Sequence, residues 1–214
     1  MAEITLYTNP WSRGRIVRWM LEELGVDYDV IVKEYGSTIK EQDYLAINPM
    51  GKVPSLVHGD TVITEVAAIC TYLADRFPER HLAPALGSPE RGTFFRWMFF
   101  IAGPVEMAIT ATTYDWTINR DNAQTVGCGL IPNSISTLEL ALEKGPYLCG
   151  SQFTAVDVLA ASNLGWFMEQ KVIEPLPVFR EYVDRLQQRP AAIRANALDD
   201  ALVVPKEKMP MANS

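Results

Sequence analysis

The sequence predicts a small α/β domain of βαβ–ββα order joined to an all-α C-terminal helical domain. Three observations predict it. A β-prone run, an amphipathic helix and a second β-prone run follow one another within the first 32 residues. Two further apolar runs then flank the tight turn His58-Gly59-Asp60. Beyond a proline- and glycine-containing stretch, only helical patterns recur.

The first strand is expected over residues 3–7, and the chain breaks at Thr8-Asn9-Pro10-Trp11. A helix then runs from Ser12. Its apolar residues Ile16, Val17, Met20, Leu21 and Leu24 repeat at helical spacing, and Gly25 stands where the C-terminus wants left-handed geometry. Residues 28–32 form the second strand. A helix between two strands is long enough to cross over, so the strands are parallel. Residues 33–50 are polar and irregular, with one helical turn around 40–47. The strands expected over 53–57 and 61–64 are joined by a three-residue turn and pair antiparallel. Thr64 is the expected N-cap of a helix running to about Phe77, which Pro78 ends.

This divides the chain into a domain over 1–78, a linker over 79–88, a helical domain over 89–204 and a frayed tail over 205–214. In the helical domain, Ser88-Pro89-Glu90 starts a helix that is apolar almost all round, from Phe94 to Ile101, and is therefore expected to be central and buried. Gly103-Pro104 should bend it. Residues 117–131 fit no element. Helices follow over about 132–143, 154–170 and 177–189, and a short one begins at 190–195. Thr154 and Asp157 form a capping pair with a structural role.

The whole chain has 214 residues, 48% hydrophobic and 21% charged, which excludes a disordered or collagen-like protein. Its net charge of −7, with no basic run, argues against nucleic acid or a membrane surface as partner. The apolar stretch Phe94–Ile109 is interrupted by Arg96, Gly103-Pro104 and Glu106, and is read as too short and broken to span a bilayer. Cys70, Cys128 and Cys149 make no metal or disulfide spacing, so no metal is expected and a reducing compartment is. No signal peptide is read at the N-terminus, and the expected location is cytoplasmic. His58 and His81 are read as surface residues.

Four segments carry a resemblance: Leu6-Tyr7-Thr8-Asn9-Pro10-Trp11-Ser12, Asn48-Pro49-Met50-Gly51-Lys52-Val53-Pro54, Thr64-Glu65, and Ser151-Gln152-Phe153-Thr154-Ala155-Val156-Asp157. In this order and spacing the chain resembles a cytosolic glutathione transferase, nearest the bacterial, theta-like branch. The resemblance implies a thioredoxin-like N-terminal domain, glutathione as co-substrate, a small hydrophobic electrophile as second substrate, and a homodimer. A non-catalytic binding or interaction module of the same fold is the alternative, as is peroxide reduction by the same thiolate.

Ser12, at the strand-to-helix turn, is the first candidate for activating the glutathione thiol. Moving a thiol from about 8.5 to about 6.5 takes about 2.7 kcal/mol. A hydroxyl donating to the anion supplies about 1.5–3 kcal/mol and the helix N-terminus about 0.3–1. Serine there is equally an ordinary N-cap residue. Tyr7 and Asn9 are the runners-up. No cysteine lies near this turn in the sequence, so a mixed-disulfide mechanism lacks its nucleophile.

The resemblance implies a cis Val53–Pro54 bond, with the Val53 backbone turned outward to pair with the cysteinyl unit of the tripeptide. Pro54 is also consistent with the start of an edge strand. Glu65 and Val66 open the third helix, where backbone N–H groups hold the γ-glutamyl carboxylate and Glu65 takes the ammonium. The family pattern has serine where this chain has Val66, so one charge-assisted hydrogen bond is missing. Lys52 is assigned to the glycyl carboxylate, with Arg15 and Lys40 as weaker choices. Trp11, Met107, Tyr114, Trp116 and Trp166 are expected to line the electrophile pocket between the domains.

Overall fold

A computed structural model of the chain describes residues 3–203; the expected tail over 205–214 lies outside them. The contacts divide the chain into two units, Met1–Arg80 with Arg189–Ser214, and His81–Gln188.

The first unit contains β1 (Ile4–Thr8), α1 (Gly14–Leu24), β2 (Asp29–Val32), the short α2 (Gln42–Leu45), β3 (Ser55–His58), β4 (Thr61–Thr64) and α3 (Val66–Arg76). The sheet order is β2-β1-β3-β4, with β1 and β2 parallel and the other pairs antiparallel. This is the expected βαβ–ββα arrangement. Gly25, at φ 63, ends α1 by donating its N–H to Leu21 O at 3.0 Å. Gly59, at φ 57, supplies the turn between β3 and β4. The core forms where Ile4 and Leu6 of β1 and Leu56 of β3 meet the apolar side of α1, Ile16, Val17, Met20, Leu21 and Leu24.

Three local expectations change. β3 starts at Ser55 rather than at residue 53, because Pro54 has no N–H for the ladder. The N-cap of α3 is Glu65, not Thr64, which is retained as the last residue of β4. His58 is buried, not superficial. Its Nδ1 lies 3.0 Å from the Tyr72 hydroxyl, its Nε2 3.3 Å from the Glu3 carboxylate, and its ring stacks on Phe77.

One helix of this unit comes from the far end of the chain. α9 (Pro190–Asp200) has 11 residues, longer than expected, and packs on α1 rather than with the other C-terminal helices. Ala191, Ala192 and Ala195 are its buried small residues.

The second unit contains α4 (Glu90–Phe100), α5 (Glu106–Thr113), α6 (Ile131–Leu142), α7 (Ala155–Glu169) and α8 (Pro177–Gln187). Residues Ile101–Val105 form a π-helical segment, so Glu90–Thr113 is one continuous helix of 24 residues. The bend expected at Gly103-Pro104 takes this form. Pro104 cannot donate an N–H, and the wider turn accommodates its ring. The helix is therefore longer than expected, and by length and composition it is long and apolar enough to cross a membrane. Here it buries Phe94, Trp97, Met98, Ile101, Val105 and Ala108 inside the helical unit.

α4 is not enclosed on all sides, since Phe95 and Phe99 are exposed. The most enclosed helix is α7, whose small residues let neighbours approach. Its start is fixed by the predicted capping box. Asp157 Oδ2 accepts the Thr154 N–H at 2.8 Å and its hydroxyl at 3.1 Å, while Oδ1 accepts from Leu148 N–H at 3.0 Å and Tyr182 O–H at 2.7 Å.

Candidate functional site

The turn between β1 and α1 is built almost wholly by hydrogen bonds of Asn9 and Ser12. Asn9 Oδ1 accepts the Trp11 N–H at 2.9 Å, and Asn9 Nδ2 donates to Lys33 O at 2.9 Å. Asn9 is buried and both ends of its amide are occupied, so it is a scaffold for the turn. Asn9 O accepts the Ser12 N–H at 3.0 Å and the Ser12 hydroxyl at 2.7 Å. Ser12 Oγ in turn accepts the Gly14 N–H at 2.9 Å, in the first turn of α1. The N-cap of α1 is Arg13 rather than Ser12, and the helix starts at Gly14 rather than Ser12, but Ser12 Oγ still serves a first-turn N–H, and accepting it uses a lone pair, not the proton.

Tyr7 lies one residue off the Leu6–Thr8 face of β1 and sits 5.5 Å, ring to ring, from Tyr44. Tyr44 is a structural phenol: it donates to Lys52 O at 2.5 Å and pairs with Ser55 Oγ at 2.9 Å. A residue the sequence did not single out reaches the turn instead. The Tyr35 phenol, from the loop after β2, lies within the influence of Ser12 and Arg13. Burial raises this phenol above its ordinary value, against the opposing pull of Ser12 and of the Arg13 cation.

The sheet register brings three loops to one end of the sheet. Tyr7 pairs with Ser55, and Ser55 pairs with Thr64. The turn after Thr8, the segment before Ser55 and the residues after Thr64 therefore all emerge at that end. These loops carry Ser12, Val53–Pro54 and Glu65–Val66 respectively.

The Val53–Pro54 bond is cis, and Val53 is half-exposed. Glu65 is exposed and adopts φ 66, ψ 120, a conformation that favours glycine and is kept mainly where the surroundings fix it. It immediately precedes α3, whose first N–H groups have no intrahelical acceptor. Val66 is the first residue of that helix and offers no hydroxyl. Lys52 is exposed, and its carbonyl is held by Tyr44 and by Asn48 Nδ2 at 2.8 Å.

The two weaker basic candidates are committed elsewhere. Lys40 Nζ donates to Met50 O and Gly51 O, each at 3.2 Å. Arg15 Nε donates to Pro10 O at 2.6 Å and its Nη2 to Asp200 at 2.7 Å.

Of the residues expected at an electrophile pocket, Trp11 is half-exposed in the first unit. In the second unit Tyr114 and Trp116 stack at 6.4 Å, Trp166 is exposed on α7, and Met107 is half-buried on α5. Two cavities of about 430 and 500 Å³ in that unit contain none of these residues. Among the described residues no three His, Cys, Asp or Glu side chains are grouped to hold a metal. Burial pushes the Cys70 thiol up to about 12 and Cys149 to about 11, so both are neutral at pH 7.

One end of the sheet thus brings together a hydroxyl at a helix N-terminus, an exposed backbone beside a cis-proline and a second helix N-terminus. Residues 6–81 match the glutathione S-transferase N-terminal domain and residues 119–185 the C-terminal domain. Glutathione S-transferase GstA of Escherichia coli is 30% identical over 189 residues, covering 86% of this chain and 93% of that protein. A glutathione transferase from Methylococcus capsulatus superposes with a TM-score of 0.78 at 29% identity, over 92% of this chain and 99% of the other. A sphingomonad glutathione S-transferase complexed with glutathione gives 0.75 at 26%, over 92% and 98%. The chain belongs to the glutathione transferase family.

Proposed function

We infer that this protein binds glutathione at the sheet end described above and uses Ser12 to hold its sulfur as the thiolate, which attacks a small hydrophobic electrophile. The observation that carries the reading is the Ser12 hydroxyl, fixed at the start of α1 by Gly14 N–H with its proton on Asn9 O. That proton swings to a thiolate by rotation about Cβ–Oγ alone. Asn9 O is not left bare, since it also accepts the Ser12 N–H.

The Val53 backbone pairs with the cysteinyl unit, the α3 N-terminus takes the γ-glutamyl carboxylate, Glu65 takes the ammonium, and exposed Lys52 faces the glycyl end. Since Lys40 and Arg15 already have partners, Lys52 is preferred for that end. Trp11, Met107, Tyr114, Trp116 and Trp166 are assigned to the electrophile, in a cytoplasmic detoxifying enzyme. Exposed Phe95 and Phe99 on α4 support a homodimer. The theta-like placement rests on Ser12.

The test is titration of the bound thiol by its ultraviolet absorbance. Ser12→Ala is expected to raise its pKa by more than about one unit, a tenfold loss of thiolate, with the fold intact. An unchanged titration moves the role to Tyr7 or Asn9.

A second reading, a non-catalytic module of the same fold, is favoured by Val66. Retention on immobilised glutathione separates the two: no binding up to millimolar glutathione defeats the enzyme and leaves the fold.

A further inference from the structure

The cavity of about 430 Å³ in the helical unit opens between α4, the end of α6 and the loop that leads to α7. Its volume falls in the range of small-molecule sites, about 300–1,000 Å³. Thr137, Leu140, Ala141 and Lys144 line it because residues three, four and seven apart share one side of a helix. Arg96 and Trp97 line it from α4. The loop side is fixed. Leu148 is buried, and its N–H is held by Asp157 Oδ1 at 3.0 Å. Tyr147 and Gly150 close a tight turn with N–H···O bonds of 3.2 and 3.1 Å, for which Gly150 adopts φ 96.

The charge of this cavity runs against that of the molecule. The chain carries −7, yet the lining holds two cations, Arg96 and Lys144, and no carboxylate. Among the described residues neither cation has an ion-pair partner. A lysine just past the end of α6 is also what the helix C-terminus favours. Arg96 has no such reason, since it stands in the middle of α4. Its guanidinium lies 3.9 Å from the centre of the buried Trp97 ring. An arginine held over an aromatic ring still has its N–H donors to give. Thr137 adds no donor, because its hydroxyl proton is on Asn133 O at 2.6 Å.

We propose that this cavity binds a phosphate monoester, with the phosphoryl group between Arg96 and Lys144 and the apolar body of the ester on Trp97, Leu140 and Leu148. A carboxylate brings one charge and would leave one of the two cations without a partner. A phosphate monoester brings about −1.5 to −2 near neutral pH and three acceptor oxygens. Arginine meets those oxygens with its planar fork, and lysine meets them as a point charge. The site shares no residue with the one assigned to glutathione and does not depend on that reading.

The experiment is calorimetric titration of the full-length protein with phenyl phosphate near neutral pH, with and without excess glutathione. Saturable binding is expected with a Kd below about 1 mM, unchanged by glutathione. Arg96→Gln and Lys144→Gln should each weaken it about tenfold or more, the loss of a hydrogen bond between charged groups. Both should keep the parent melting temperature. Lys144 is exposed, so its variant carries the test if Arg96→Gln, which uncovers Trp97, loses stability. Inorganic phosphate and benzoate should bind at least about tenfold more weakly than phenyl phosphate, since one lacks the apolar body and the other the second charge.

Absence of saturable binding overturns the proposal. So does binding that both variants retain, or that excess glutathione abolishes, because the ligand then sits elsewhere. Inorganic phosphate binding as tightly would reveal an anion site with no use for the apolar wall, and benzoate binding as tightly a carboxylate site; either overturns the monoester. A protein that fails to bind glutathione and still takes up phenyl phosphate through Arg96 and Lys144 would defeat the enzyme reading and uphold this one.

Discussion

Gly14 is constrained by the residues of the β1–α1 turn rather than by the helix it begins. A Cβ placed there would lie 1.9 Å from Thr8 Oγ1 and 2.9 Å from Ser12 Oγ. Thr8 is fully buried in β1 and has no room to retreat. Gly14→Ala should therefore cost about 1–3 kcal/mol of overpacking, read by urea unfolding, and should raise the bound thiol pKa by displacing Ser12. A stable variant with a normal titration would show that the turn is looser than its hydrogen bonds imply. Val66 tests the proposed carboxylate site at the α3 N-terminus. Val66→Ser restores a hydroxyl at the α3 N-terminus, worth about 1.5–3 kcal/mol to a carboxylate, so glutathione should bind about tenfold tighter or more by calorimetry. No change would mean that the carboxylate is already satisfied. At this scale the sequence pointed to residues that sit at local breaks in the chain. Ser12, Pro54 and Glu65 stand beside recognisable breaks between strand and helix. The steric demand at Gly14 was hidden, because it depends on the Thr8 side chain that folding brings against it.

Between elements, charged pairs matter according to their burial. α1 and α9 run antiparallel along a ladder of ion pairs: Arg15–Asp200 at 2.7 Å, Arg18–Asp199 at 2.8 Å, Glu22–Arg194 at 3.0 Å and Glu23–Arg189 at 2.6 Å. Only Arg18–Asp199 is buried at both ends. Removing one partner of a buried pair costs about 3–5 kcal/mol, against at most about 1 for an exposed pair. Asp199→Ala should therefore destabilise strongly in urea and Asp200→Ala hardly at all; equal effects would refute the distinction. The Asp157 carboxyl between α7 and α8 gives a pH signature. Burial raises its pKa, opposed by the Tyr182 hydrogen bond and by the Leu148 and Thr154 donors. Its stabilising contribution is then full below the ordinary carboxylate range, about pH 4, and is lost as pH rises through the elevated folded-state value. Tyr182 donates to the ionised form most strongly, so Tyr182→Phe should cost about 1.5–3 kcal/mol at pH 7–8 and less near pH 4–5. A loss independent of pH would mean that Asp157 does not titrate in that range. The sequence showed the Thr154–Asp157 cap because it spans three residues, whereas Tyr182 was too distant to find.

For the whole molecule, what was legible and what was not divide along contact range. The βαβ–ββα order followed from short connections and one crossover helix, and the change to helices at 79–88 falls close to the division after Arg80. The return of the chain to the first unit at Arg189 was not visible. In the sequence Pro190–Asp200 suggests only the start of a short helix. What makes it a full element is α1, nearly the whole chain away, through Arg18, Glu22 and Glu23. This makes the first unit discontinuous, and its stability should depend on its last piece. A chain ending at Gln188 loses Asp199 and with α9 the helix packed over the Arg18 guanidinium, which is 3% exposed in the full chain. It also uncovers the part of α1 that carries Trp19, whose indole N–H donates to Glu23, the partner of Arg189. The first unit should therefore unfold at lower urea, because α1 loses the apolar cover of Ala191, Ala192 and Ala195 together with its ion pairs, with a red shift of Trp19 emission. The helical unit retains its own capping box and should keep its far-ultraviolet helicity. Replacing Trp11, Trp97, Trp116 and Trp166 by Phe isolates the Trp19 signal. If the shortened chain keeps the full-length midpoint and a blue Trp19 spectrum, α9 is an accessory helix and the first unit is complete by Arg80.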